Sequence, residues 1–214
     1  MSATELNHSS IADIPEDKLV ERLLADPLWR KEYFELYGNP TGTLRKMRVP
    51  LPTGFQGDAD IVLFSPEHPD QAVAVEVKRI KFGVSALRPD RRPNKLHEYA
   101  KAIEQAHRLH KVGFWKVYLY AITVADAREQ NAPKFGSGKL VFDGLSTKLK
   151  SLVASVVTTN GLNPSVGLCS LDFTQTMDDE PFVVGTHGLH LIRGATAQPQ
   201  RPELTRWVTE VFSK

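Results

Sequence analysis

Gly57-Asp58-Ala59-Asp60-Ile61-Val62-Leu63-Phe64 and Ala72-Val73-Ala74-Val75-Glu76-Val77-Lys78 are the two most informative stretches of this chain. Each couples a short apolar run of strand type to charged residues at one end. Fifteen residues lie between Asp60 and Glu76, enough to finish one strand, turn and return. A hairpin of that length brings Asp60 beside Glu76 at one edge of a sheet. Alternate residues of a strand share a face, so Glu76 and Lys78 point together, and so do Asp58 and Asp60.

The elements on either side complete the pattern. Asp13–Pro15–Glu16 is a helix-start signal, and Leu19, Val20, Leu23 and Leu24 follow at helical spacing. A second helical piece carries Trp29 to Tyr37 and stops at Gly38-Asn39-Pro40. Leu44–Leu51 reads as a strand, and with Ile61–Phe64 and Ala72–Val77 it makes a β-meander. Ser65–Gln71, with Pro66 and Pro69, reads as a loop, as do residues 82–94 with Gly83, Pro89 and Pro93. Lys95–Lys111 is predicted helical, with Leu96, Tyr99, Ile103, Ala106 and His110 on one stripe. Phe114–Thr123 is the strongest strand in the chain, and the polar stretch 126–139 reads as an exposed excursion. Ser146–Val157 is predicted helical. Val166–Thr174 and Phe182–Ile192 read as paired strands joined by the turn Asp178-Asp179-Glu180, and Pro202–Phe212 as a closing helix. The class is α/β (α+β): a mixed sheet flanked by helices. Residues 1–12 read as a flexible tail and 13–214 as a single domain.

Two carboxylates and a lysine converging at a strand end have a chemical use. Oxygen ligands suit Mg²⁺ or Mn²⁺, which keep several waters and contact one or two carboxylates plus substrate phosphates. A cation so held stabilises charge on a phosphoryl oxygen, and Lys78 can orient a water or offset phosphate charge. The implied reaction is phosphodiester hydrolysis.

Asp60 followed by Glu76-Val77-Lys78, each on a strand between a leading helix and a following helix–strand pair, resembles the PD-(D/E)xK nuclease superfamily over roughly residues 16–122. Ala59 stands where that family often has proline. The resemblance implies a restriction-endonuclease-like fold: an α-βββ-α-β core, here with C-terminal α, β-hairpin and α additions. It also implies metal-dependent, endonucleolytic cleavage of DNA, less often RNA. Asp60 and Glu76 would be metal ligands and Lys78 the catalytic lysine. Asp58 is a further candidate ligand, as is a helix-1 glutamate: Glu21, Glu32 or Glu35. Gln105 fits by position a glutamine that some members carry in the following helix, although it lies opposite the apolar stripe.

Charge placement supports a polyanionic partner. From Lys78 to Lys116 there are eleven Lys/Arg and three acidic residues, a net +8 in a chain whose total is only +2. Lys81, Arg88, Arg91, Arg92 and Lys95 are candidate backbone contacts, which position without specifying sequence. Arg45, Lys46 and Arg48 would extend the same surface.

Composition sets the outer bounds. The chain has 214 residues, 41% hydrophobic and 24% charged, which excludes a wholly disordered chain, a collagen repeat and a coiled-coil rod. No apolar run is long enough to cross a membrane, and the polar N-terminus has no signal-peptide character. The lone Cys169 excludes an internal disulfide and a multi-cysteine zinc site, pointing to a reducing, cytoplasmic setting. The His107/His110 and His187/His190 pairs lack further zinc ligands, and Trp115, Tyr118 and Tyr120 read as sheet residues rather than a stacking platform. No phosphate-binding loop or dinucleotide fingerprint is present. A homodimer or a delivering partner protein is compatible with the reading. Its rivals are a catalytically inactive binding module for nucleic acid or protein on the same fold, and a phosphodiesterase acting on small nucleotides.

Overall fold

The structure, a computed structural model, describes residues 15–17, 20–21, 44–83, 96–126, 134–135, 138–142, 151, 155, 157–158, 161–172, 175–176 and 189–213. Glu16, Asp17, Val20 and Glu21 are helical. Then come β1 (Leu44–Pro50), β2 (Asp58–Ser65) and β3 (His68–Gly83). A 3₁₀ turn, Leu96–Glu98, leads into α1 (Tyr99–Val112), followed by β4 (Lys116–Asp126). The short strands β5 (Lys134–Phe135), β6 (Gly138–Phe142) and β8 (Gln175–Thr176) form a small separate sheet. β7 (Gly167–Asp172), β9 (Leu189–Arg193) and α2 (Pro202–Ser213) complete the described elements.

The main sheet has six strands in the order β1-β2-β3-β4-β7-β9. The meander β1-β2-β3 is antiparallel, β3-β4 and β4-β7 are parallel, and β7-β9 is antiparallel. The α/β class with a mixed sheet flanked by helices therefore stands, but the C-terminal hairpin is no appendage: it continues the same sheet. The central strands carry residues buried on both faces, such as Val73 to Val75 and Val117 to Ile122. This is why they read as nearly continuous apolar runs rather than alternating ones.

Several boundaries differ from the sequence reading. Ser65–Gln71 is not a loop. A tight turn at Pro66 and Glu67 pairs Ser65 with His68, and β3 begins there. Pro69 is tolerated because the ladder is irregular at this point: Gln200 caps the strand instead, its Oε1 accepting from Ala72 N at 2.9 Å and its Nε2 donating to the Pro69 carbonyl at 3.0 Å. β3 also runs on to Gly83, because its parallel pairing with β4 holds it extended through Gly83 and Asp126. The rest of 82–94 lies outside the described residues. The stretch 126–139, read as an excursion, contains β5 and the start of β6. The second C-terminal strand is described only from Leu189, and Asp178–Glu180 lie outside the described residues.

α1 starts at Tyr99 rather than Lys95, and its buried stripe is Tyr99, Ala102, Ile103, Ala106, Leu109 and Val112. His110 is half-buried beside that stripe. The helix stops at Gly113, whose φ of 101° is left-handed and whose N–H returns to the His110 carbonyl. α2 closes the same core with Leu204 and Val208, and stacks Phe212 on Phe64 at 5.0 Å between ring centroids. Gly167 is required by a close approach: a Cβ there would run into the Tyr118 ring on the neighbouring strand.

Candidate metal centre

β2 and β3 pair in register through Leu63 with Val73, Val62 with Ala74 and Ile61 with Val75. One residue further along each strand stand Asp60 and Glu76, level and on the same face. Here the backbone ladder gives way to side chains. The Val77 N–H is taken not by a β2 carbonyl but by Asp60 Oδ2, at 2.7 Å. Two residues on, the Arg79 N–H donates to Glu16 Oε2. The helical segment holding Glu16 thus docks against β3 where β2 leaves it. An open pocket of about 80 Å³ remains, lined by Glu16, Asp17, Val20, Arg48, Asp60 and Val77.

The electrostatics follow from crowding acids in a partly dry place. Glu76 is only 2% exposed, and its Oε2 has no hydrogen-bond partner among the described residues. Burial first, then the charges of Asp60, Glu16 and Asp58, push its pKa up to about 9, against which Lys78 acts. Asp60 is raised less, to about 6: burial lifts it, the Val77 amide opposes, Glu16 and Asp58 raise it and Arg48 lowers it. Without a counter-cation, then, Glu76 is held as a neutral acid at physiological pH while Asp60 is mostly ionised.

Asp60, Glu76 and Lys78 are thus brought together, with Lys78 half-buried on the Glu76 face. Asp58 is exposed at the start of β2, in register with Pro50. Glu21 is exposed and does not line the pocket, whereas Glu16 reaches the site. Glu32 and Glu35 lie outside the described residues. Glu16 was legible only as part of a helix-start signal, a role acidic residues take in most first turns. Gln105 is half-buried rather than opposite the stripe, on the flank it shares with Leu109 and Val112. Lys81 lies in β3, level with Val124. Arg88, Arg91, Arg92 and Lys95 lie outside the described residues.

The discounted residues have structural partners. His107 Nε2 accepts from the Asn163 N–H at 2.9 Å. Tyr118 and Tyr120 are buried and pack edge to face. Cys169 is fully buried, its thiol pushed up to about 12 by burial.

Among the described residues no three His, Cys, Asp or Glu side chains stand close enough together to hold a metal as they are. Asp60 and Glu16 each commit one carboxylate oxygen to an amide, which leaves their second oxygens and the unpartnered Glu76 Oε2. Two of these carboxylates, those of Asp60 and Glu76, are of the kind that a hard divalent cation takes when it completes its shell with water or phosphate. No protein-family model matches the chain, and no curated protein matches it either. The functional reading therefore rests on the geometry of the site.

Proposed function

We propose that this protein is a Mg²⁺- or Mn²⁺-dependent endonuclease that hydrolyses phosphodiester bonds in DNA, with a restriction-endonuclease-like fold. The observation that carries the reading is the orphaned, buried Glu76 Oε2 beside Asp60, on the same strand face as Lys78. A buried acid without a partner is costly unless something compensates it, and a divalent cation is what this donor set suits. The order of helix, antiparallel meander, helix and parallel strand supports the fold.

Asp60 and Glu76 would hold the cation, Asp60 already oriented by the Val77 amide. A cation bound there would neutralise charge building on the phosphoryl oxygens and acidify an attacking water. Lys78 sits beside these groups, where its ammonium can hold that water by a hydrogen bond and offset charge on the phosphate. The segment Lys78–Lys116, with its net +8, would attract the polyanion, and a free, buried Cys169 suits a reducing cytoplasm.

A second reading has an observation in its favour. Asp60 and Glu16 already satisfy two amides of β3, so the carboxylates could serve only to cap that strand, in a binding module without catalysis. Cleavage of supercoiled plasmid and of single-stranded DNA with Mg²⁺ or Mn²⁺ separates the two. Nicking that Glu76→Ala and Lys78→Ala each lower by about 10²-fold or more, with folding intact, is the expected result. Salt-sensitive DNA binding without cutting, unaffected by either substitution, would leave the binding module standing.

A further inference from the structure

Among the described residues, the pocket's cationic wall is Arg48, which stands in an unusual place. Arg48 lies in the middle of β1, between the pairs Met47 with Ile61 and Val49 with Ala59, and so stands level with Asp60 across the ladder. Its φ is 47°, the one left-handed non-glycine among the described residues. Such a conformation inside a strand is disfavoured for any residue with a Cβ, and it persists where the surroundings over-determine it, commonly at functional sites. The strain turns the backbone at the residue that lines the pocket with Asp60 and Glu16. The guanidinium ends beside Asp17, Nη2 to Oδ2 at 3.1 Å, with the side chain still 63% exposed.

We propose that Arg48 is the guanidinium that grips a substrate phosphate at the Asp60–Glu76 site, and that Asp17 occupies it until a phosphodiester displaces the carboxylate. This rests on the nuclease reading above and names how that site recognises its substrate. A guanidinium forks onto phosphate oxygens as it does onto a carboxylate, so the Asp17 carboxylate stands in for the ligand. The acids that line the pocket with Arg48, Glu16, Asp17 and Asp60, would repel a phosphodiester; a cation within reach of the same pocket offsets this. An exposed ion pair is weak, and so is easily exchanged for a phosphate that brings its own charge. The arrangement also explains why Asp17 sits beside Glu16: one acid anchors the helical segment to β3, the other reaches Arg48.

The two members of the pair carry opposite signs in a test on the full chain. Steady-state cleavage of a fluorescent oligonucleotide with Mn²⁺ should show a KM raised roughly tenfold by Arg48→Ala, with a smaller effect on kcat. The slope of log KM against log salt should fall by about one charge. Arg48→Gly, which relieves the left-handed strain, should lose substrate binding equally without lowering Tm. Asp17→Asn should lower KM several-fold. An unchanged KM and salt slope in both Arg48 variants would overturn the proposal, as would a KM raised by Asp17→Asn, because the pair would then be only a structural tie. Should the wild type cut nothing, the nuclease reading fails separately. Oligonucleotide anisotropy in Ca²⁺ then decides Arg48: weaker binding by Arg48→Ala keeps it as the phosphate contact, and equal binding removes it.

Discussion

Among the described residues, Glu76 carries the sharpest pH signature. Its carboxyl is raised to about 9 by burial and by neighbouring acids, so the metal-free fold takes up a proton relative to the unfolded chain. For a group raised on folding, stability is full below the unfolded pKa and is lost as pH climbs through the folded one. The metal-free protein should therefore weaken between about pH 5 and 9. Glu76→Gln keeps the shape and removes the titration. In EDTA at about pH 8 it should stabilise the fold by about 1–3 kcal/mol, seen as a Tm higher by roughly 3–10 °C. An equal Tm for the two proteins across that pH range would show that Glu76 is ionised and partnered in solution. Metal affinity should run the other way. Ligation must displace the Glu76 proton, so Mn²⁺ binding should tighten by up to about tenfold per pH unit from about 6 to 9, with proton release visible by calorimetry in buffers of different ionisation enthalpy.

At the scale of elements, the site depends on where one ladder ends and another continues. β3 loses β2 after Val75 but keeps β4 beyond it, with Glu76 level with Leu119 and Lys78 level with Ala121. The dry environment of Glu76 is thus partly a product of β4 packing. Leu119 is fully buried in the core cluster. Leu119→Ala should cost about 2–5 kcal/mol. By admitting water beside Glu76, it should also move the pH dependence of Mn²⁺ binding to lower pH. A destabilised variant with the wild-type pH profile would separate core packing from site tuning. On the next strand pair, Gly167→Ala drives a methyl into the Tyr118 ring and should cost about 1–3 kcal/mol in denaturant melts, with metal binding retained.

For the whole molecule, the two ends of the chain hold the middle. The helical residues Glu16 and Asp17 reach the site from the front of the sequence. The last segment reaches back from the other end, through Gln198 onto the His110 and Phe114 carbonyls, Gln200 onto the start of β3, and α2 onto the core. Removing residues 202–214 uncovers Phe64 and Phe114, which pack on Phe212 and Trp207. Such a truncated chain should lose its cooperative melt and bind a hydrophobic dye, whereas loss of only the last residue should do neither. Under the proposed function, the concentration of positive charge in Lys78–Lys116 predicts DNA binding that weakens steeply with salt, several phosphates' worth of counterion being released on association.

Local chemistry made a large part of this readable in the sequence. Apolar runs mark buried strands because β3, β4 and β7 are covered on both faces, and alternation within a strand already set Glu76 and Lys78 on one side. The same reasoning put Asp60 next to Glu76 from the length of the hairpin alone. Where it failed, distant residues were responsible. Pro69 lies in a strand because Gln200, far along the chain, caps the edge there. Gly83 is extended because β4 pairs with it. Glu16 reaches the pocket, and Glu21 does not line it, because the first turn of the helical segment docks onto the Arg79 amide. Arg48 looked like one more surface cation until the fold set it level with Asp60 in a left-handed turn of backbone. The sequence by itself determined which residues could carry charge at a strand end, since that depends on composition and period. Only the tertiary structure decided which of them meet, because that depends on where two strands part and on which distant segment fills the gap.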